Sequence, residues 1–312
     1  MKSVILSPNI KLRETQKGLF SFYTLEKRRI LFYNLEGMKT KYIFLDIDGT
    51  LFSSEISGTP KSAIEAIHEA RKNGHKVFLC TGRTRCQCSD YFEYDIDGFI
   101  FGAGSCIYVG EECIFDQPVP TLDIKTLVED AEDLNLAYVQ EGKDHCYCNQ
   151  LGYDWSLSYF NKNNKPYEIK KEKLDSLHFL HDEKGYLKEP IYKLFFFAKD
   201  VDIFKKYEEG LRDPYKIAVT HAELGGLCGA EVTNRGLTKS GGIIQILDYY
   251  GATQEDTIGI GDSMNDMDMV EFCDLGVAMG NALPELKEVA DYITTDILED
   301  GIYNAFKYSG VI

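Results

Sequence analysis

FLDIDGTLF (residues 44–52) ends an apolar run in two carboxylates, Asp46 and Asp48. The run KYIFLDI (41–47) is short, apolar and aromatic and is bounded by Gly49, as in a strand buried on both faces. SSEISGTP follows, polar and turn-rich. Thr59 is expected to cap a helix with Pro60 at its first position, and Ala63, Ile64, Ile67 and Ala70 then recur at helical spacing up to a closing Gly74. HKVFLCTG (75–82) reads as a second buried strand, so 41–82 makes a βαβ unit, which crosses over right-handedly and builds a parallel sheet. DGFIFGAG (97–104) supplies a third strand.

Residues 105–234 read differently, with polar stretches such as YFNKNNKPYEIKKEK and strand-like runs (CIYVGEECIF, AYVQ, IYKLFFFA, KIAVT) among amphipathic helical ones. The doubly wound pattern resumes with a helix at 239–250 and strands DTIGIGD (256–262), LGVAMG (275–280) and YIT. The chain is therefore expected to be α/β: a Rossmann-like doubly wound parallel-sheet core of 38–108 plus 235–312, interrupted by an α+β domain at 109–234. Residues 1–37 carry seven Lys or Arg against three acids and lack the apolar core of a signal peptide; they are expected to be a poorly ordered extension.

At 312 residues, two domains are the natural expectation. The composition, 44% apolar and 27% charged, is that of a globular protein, and no apolar stretch approaches the ~20 residues that span a bilayer. A net charge of −16 speaks against nucleic-acid and anionic-membrane partners, but a local cation can still admit a small anionic substrate. Nine cysteines without C-x-x-C spacing read as free thiols of a cytoplasmic protein. Cys86/Cys88 and Cys146/Cys148, the latter after His145, are too narrowly spaced for the usual zinc site.

If the later strands return beside the first, it and strand 256–262 flank the switch point where open α/β sheets bind ligands. Asp46, Asp48, Asp262 and Asp266 would then meet in one crevice. Such an all-oxygen set needs a cation and suits Mg²⁺.

FLDIDGTLF, CTGR (80–83), Lys239 in GLTKSGG and GDSMND (261–266) together resemble the four motifs of haloacid dehalogenase-superfamily phosphatases. The tail GVAMGNALPELKEVADYITTDILEDGI resembles the Cof-like branch, which carries a large (type IIB) cap. The resemblance runs from about Met38 to the C-terminus and implies Asp46 as nucleophile and Asp48 as proton shuttle. It implies Mg²⁺ on Asp46, the Asp48 backbone carbonyl, Asp262 and Asp266, and phosphate contacts from Thr81, Gly82, Lys239 and Asn265. Thr50 and Gly49 support the loop; Arg83 is as well read as a structural salt bridge as a substrate contact. One departure is Ala103-Gly104-Ser105, where the family usually has Asn-Gly-Ala.

The insert is then a mobile cap hinged near Tyr108–Gly110 and Asn234-Arg235-Gly236, with Lys193, His145 and Glu223 to Gly226 as candidate substrate contacts. The function implied is hydrolysis of a small phosphorylated metabolite, sugar phosphates foremost, by a monomer or small homo-oligomer. A sugar phosphomutase and a non-catalytic phosphometabolite-binding protein are the alternatives.

Overall fold

The computed structural model describes residues 39–159, 172, 174, 178–220 and 226–312. The expected extension at 1–37, and Glu223 to Gly225, lie outside the described residues. Strand β1 (Tyr42–Leu45), helix α1 (Lys61–Lys72), β2 (Lys76–Cys80) and β3 (Gly98–Phe101) follow the βαβ reading. Next come a hairpin, β4 (Cys106–Val109) and β5 (Glu112–Asp116), and helix α2 (Thr121–Asp133). The insert continues with β6 (Ala137–Gly142), β7 (Cys146–Cys148), α3 (Gln150–Tyr159), β8 (Phe179–His181), β9 (Ile191–Ala198), α4 (Asp202–Gly210), β10 (Tyr215–Thr220) and β11 (Cys228–Asn234). The chain ends with α5 (Lys239–Tyr250), β12 (Thr257–Gly261), α6 (Met267–Phe272), β13 (Leu275–Ala278), α7 (Pro284–Val289), β14 (Tyr292–Ile293) and α8 (Gly301–Ser309).

Two sheets result. The first has the order β14-β13-β12-β1-β2-β3-β4-β5, and the second β10-β11-β9-β6-β7-β8. β1 is central in the first and pairs in parallel on both sides, Leu45 lying opposite Leu79 of β2 and Ile260 of β12. Side-chain alternation sorts its residues between two helical layers. Ile43 and Leu45 pack with Ala66, Ile67 and Ala70 of α1 and with Ala305 and Phe306 of α8. Tyr42 and Phe44 pack with Ile243, Ile246 and Leu247 of α5. Each such fully buried aliphatic side chain contributes roughly 1.5–3 kcal/mol, so both faces hold the strand in register. Asp46 is next on the α5 face, and its N–H still donates to Ile260 O at 3.0 Å.

The insert begins later than the sequence suggests. β4 and β5 pair antiparallel and extend the first sheet, so CIYVGEECIF belongs to the core rather than to the insert starting at 109. A tight turn through Gly110 (φ 55°) makes local hairpin pairing inexpensive, and Tyr108–Gly110 is accordingly a hairpin end and not a junction. The crossing lies between Gln117, whose N–H donates to Ser105 O in the core, and Val119, whose N–H donates to Ile191 O in the second sheet. The return follows Asn234, where Gly236 N donates to Asn234 Oδ1 and Thr238 caps α5. Helices α2 and α4 cover one face of the second sheet, with Leu127, Val128, Phe196 and Phe204 among its buried side chains.

Candidate active site

β1 and β12 end side by side, and their carboxyl ends carry the acids. Asp46 is buried, and Lys239 from the first turn of α5 donates from Nζ to Asp46 Oδ1 at 2.6 Å and to Asp266 Oδ1 at 2.5 Å. Thr238 anchors that turn by accepting from Gly241 N at 3.0 Å, while Asp268 accepts from Ser240 N at 2.9 Å. Asp266 is held through both oxygens: Oδ1 by Lys239, and Oδ2 by the N–H groups of Asp262 and Ser263, each at 3.0 Å. It thereby fixes the turn after β12 and holds Lys239 in place.

Asp262 sits beside the loop after β1. Thr50 Oγ1 donates to Asp262 Oδ1 at 3.2 Å. Gly49 has φ +87°, and a Cβ there would lie 2.2 Å from Asp262 Oδ2, so both its conformation and the close approach require glycine. Oxygens of Asp46, Asp262 and Asp266 all lie within 4.8 Å of one another.

Burial is the largest cause raising Asp46 to about 8; the Asp266 charge adds to it and Lys239 offsets part. Asp262 is pushed up to about 7, again by burial and then by Asp266, against Thr50 and Lys239. For Lys239, burial disfavours the charge, but Asp266 and Asp46 outweigh it and hold the ammonium well above its ordinary range. Were all three carboxylates ionised, the one ammonium would leave two negative charges uncompensated, which, after burial, is why Asp46 and Asp262 are raised without a cation. The excess charge and the all-oxygen donor set fit one hard divalent cation.

Asp48 points outward and pairs with Arg83, which donates from Nε to Oδ2 at 2.7 Å and from Nη2 to Oδ1. Thr81, just beyond β2, is buried, and its Oγ1 accepts from Arg83 N at 3.1 Å, keeping its own proton for another partner. Gly82 and Asn265 face each other, since a Cβ on Gly82 would lie 3.8 Å from Asn265 Nδ2. The motif residues thus gather at one end of the first sheet. Lys193 and His145 are engaged within the insert: Lys193 Nζ lies 3.3 Å from Glu141 and 2.8 Å from Glu231, and His145 Nδ1 lies 3.0 Å from Glu189.

The motif reading does not single out Asn281. Its Nδ2 donates to Gly49 O at 2.7 Å and its Oδ1 accepts from Ile297 N at 3.0 Å, bracing the Asp48–Gly49 turn from the C-terminal segment. The signal was the GNALPEL stretch, read for resemblance and not for chemistry. Asp268 was likewise hidden two residues beyond GDSMND.

Acids and one lysine lie buried together at the switch point of a doubly wound sheet, with an α+β module inserted after the β4–β5 hairpin, and similarity to known proteins makes the chain a phosphoric monoester hydrolase. The family model of the haloacid dehalogenase-like hydrolases matches residues 43–306, and the chain belongs to that family, in its Cof-like branch. YkrA of Bacillus subtilis (strain 168) is 29% identical over 276 residues, covering 88% of this chain and 100% of YkrA. The 5-amino-6-(5-phospho-D-ribitylamino)uracil phosphatase YcsE of the same organism is 27% identical, covering 88% and 97%. Among solved structures, the subclass IIB sugar phosphatase BT4131 superposes with a TM-score of 0.70 at 29% identity, covering 88% of this chain and 100% of that one.

Proposed function

We propose that this protein is a Mg²⁺-dependent phosphatase of small phosphorylated metabolites, with sugar and sugar-alcohol phosphates foremost, acting through an aspartyl-phosphate on Asp46. The observation that carries this is the buried Lys239 bridging Asp46 and Asp266 at the end of β1, beside Asp262. Phosphoryl transfer asks a protein mainly to position groups and neutralise charge. Asp46 is held in place by the sheet and by Lys239, and its second oxygen is the candidate nucleophile.

In this reading Asp46 attacks phosphorus as the bond to the leaving oxygen breaks, and Asp48 delivers a proton to that oxygen. Asp48 then takes a proton from water, which attacks phosphorus, breaks the bond to Asp46 and releases phosphate. Arg83 holds Asp48 between these steps, and more than half of the Asp48 side chain is exposed, as a proton shuttle requires. In the same reading Thr81, Gly82 and Asn265 bind the phosphate oxygens, which the free Thr81 hydroxyl proton and the closeness of Gly82 to Asn265 support. Asp46, Asp262, Asp266 and the Asp48 carbonyl would hold Mg²⁺, which when bound supplies positive charge against the transferring phosphoryl group.

The second sheet, entered and left through two short crossings, serves as the cap that excludes water. The substrate class is favoured because YcsE is named for a ribityl phosphate and BT4131 for sugar phosphates. The test is a Mg²⁺-dependent phosphate-release screen over sugar, polyol and nucleoside phosphates. Asp46→Asn should lose at least about 10³-fold in kcat. Full activity in that variant would refute the covalent route, and isomerisation of a sugar phosphate without phosphate release would make the protein a mutase.

A further inference from the structure

One cysteine of the first C-x-C pair, Cys86, meets the second pair across the boundary between core and insert, while Cys88 packs into the core. Cys86 lies in the 3₁₀ turn Arg85–Tyr91 that follows β2, and Cys146 opens β7 of the second sheet. Their sulfurs are 3.5 Å apart, and Cys86 Sγ also donates to Gly142 O at 3.4 Å. Cys86, a core residue, packs within the hydrophobic cluster of the insert, against Val139, Cys146, Cys148 and Leu157. Beside it Arg85 Nη1 reaches Asp144 Oδ1 at 2.5 Å, a second link between the same segments. A cavity of about 340 Å³ opens onto Cys86 between Arg85, Phe92, His145 and His178, so a small oxidant can reach one thiol of the pair.

Among the described residues, no third His, Cys, Asp or Glu joins these two within reach of a single ion. Two thiols in contact without a third ligand fit a covalent bond better than a metal. We propose that Cys86 and Cys146 form a reversible disulfide that clamps the insert to the core and stops turnover when the protein meets a peroxide. Cys86 attacks the peroxide, an S–O bond forming as the O–O bond breaks, and gives a sulfenic acid plus water or alcohol. Cys146 sulfur then attacks that sulfur, and the S–O bond breaks as S–S forms. The thiol proton leaves with the hydroxyl as water. The sulfurs must close from 3.5 Å to the ~2.05 Å of a disulfide, a shift that side-chain rotation and small loop movements can supply. Burial raises the Cys146 thiol well above its ordinary pKa, which disfavours it as the first attacker on the peroxide. In a reducing compartment such a bridge is transient, as a sensor requires.

The functional consequence rests on the reading that the insert opens as a cap, because opening must part Cys86 from Cys146. The test treats the full-length protein with hydrogen peroxide and reads three quantities. Peptide mapping should find Cys86 linked to Cys146 with the loss of two hydrogens. Amide exchange in the crossings at 117–119 and 234–238 should slow. Phosphate release should fall about tenfold or more and recover with a thiol reductant, as expected when opening limits turnover. Cys86→Ser and Cys146→Ala, checked by thermal unfolding, should show none of these changes. Oxidation of other cysteines while these two stay reduced overturns the proposal, as does a linked protein with unchanged exchange and turnover. If the untreated protein releases no phosphate, the proposed function fails, while the link and the exchange still decide the clamp.

Discussion

Lys239 is the residue on which the site's electrostatics turn. It is buried, with two carboxylates on its one ammonium, and removing one partner of a buried ionic group leaves uncompensated charge. Lys239→Met is therefore expected to lower phosphate release by about 10²–10³-fold. It should also lower stability by about 3 kcal/mol at neutral pH, measured by urea unfolding. The same cluster sets a pH dependence. Asp46 at about 8 and Asp262 at about 7 stand above their ordinary value of 3.8, so the folded state binds more protons than the unfolded one between those limits. Their contribution to stability is complete below 3.8, declines as pH rises, and is lost above about 8. A divalent cation held by the ionised carboxylates would reverse the trend. The gain in Tm from added Mg²⁺ should grow steadily from pH 5 to pH 8; a gain independent of pH would contradict the raised values.

The elements show what the sequence makes legible and where it stops. β1, β2, β3 and the returning β12 were readable because buried parallel strands are short apolar runs, and their order follows from right-handed crossovers. The expected boundary at 108/109 cut the β4–β5 hairpin because β4 begins with buried Cys106 and Ile107, whereas β5 is exposed or half-exposed along its length and gives no core-strand signal. The turn after β3 shows what the departure at Ala103 costs. Gly102, Ala103 and Gly104 all have positive φ, 53°, 52° and 102°, and a Cβ on Gly104 would lie 2.3 Å from Thr238 O. The turn thus abuts the cap of the helix that carries Lys239. Asn tolerates the left-handed region, whereas Ala is strained there by about 1–2 kcal/mol. Ala103→Asn should stabilise the protein by about 0.5–1 kcal/mol, and Ala103→Val should destabilise it. Thermal unfolding of the two variants decides; equal Tm values would mean that the turn carries no such strain.

At the scale of the whole molecule, the motif residues could be expected together from the sequence because each motif terminates an element, and parallel pairing then aligns those ends. It could not place Asn281 on Gly49, or Cys86 on Cys146, because such contacts depend on loop conformation and on how two modules meet. The overall charge poses a further question for function. At −16 the molecule repels a phosphate monoester, while the nearby cations Lys239 and Arg83 are already paired with carboxylates. The far field therefore slows encounter, and salt relieves it, since the Debye length shrinks to ~10 Å at 0.1 M. With Mg²⁺ held saturating, raising sodium chloride from about 20 to 200 mM should increase kcat/KM by about two- to fivefold and leave kcat nearly unchanged. A fall in kcat/KM over that range would instead mean that bound metal and local cations dominate the approach, making the site an attractive funnel within an acidic protein.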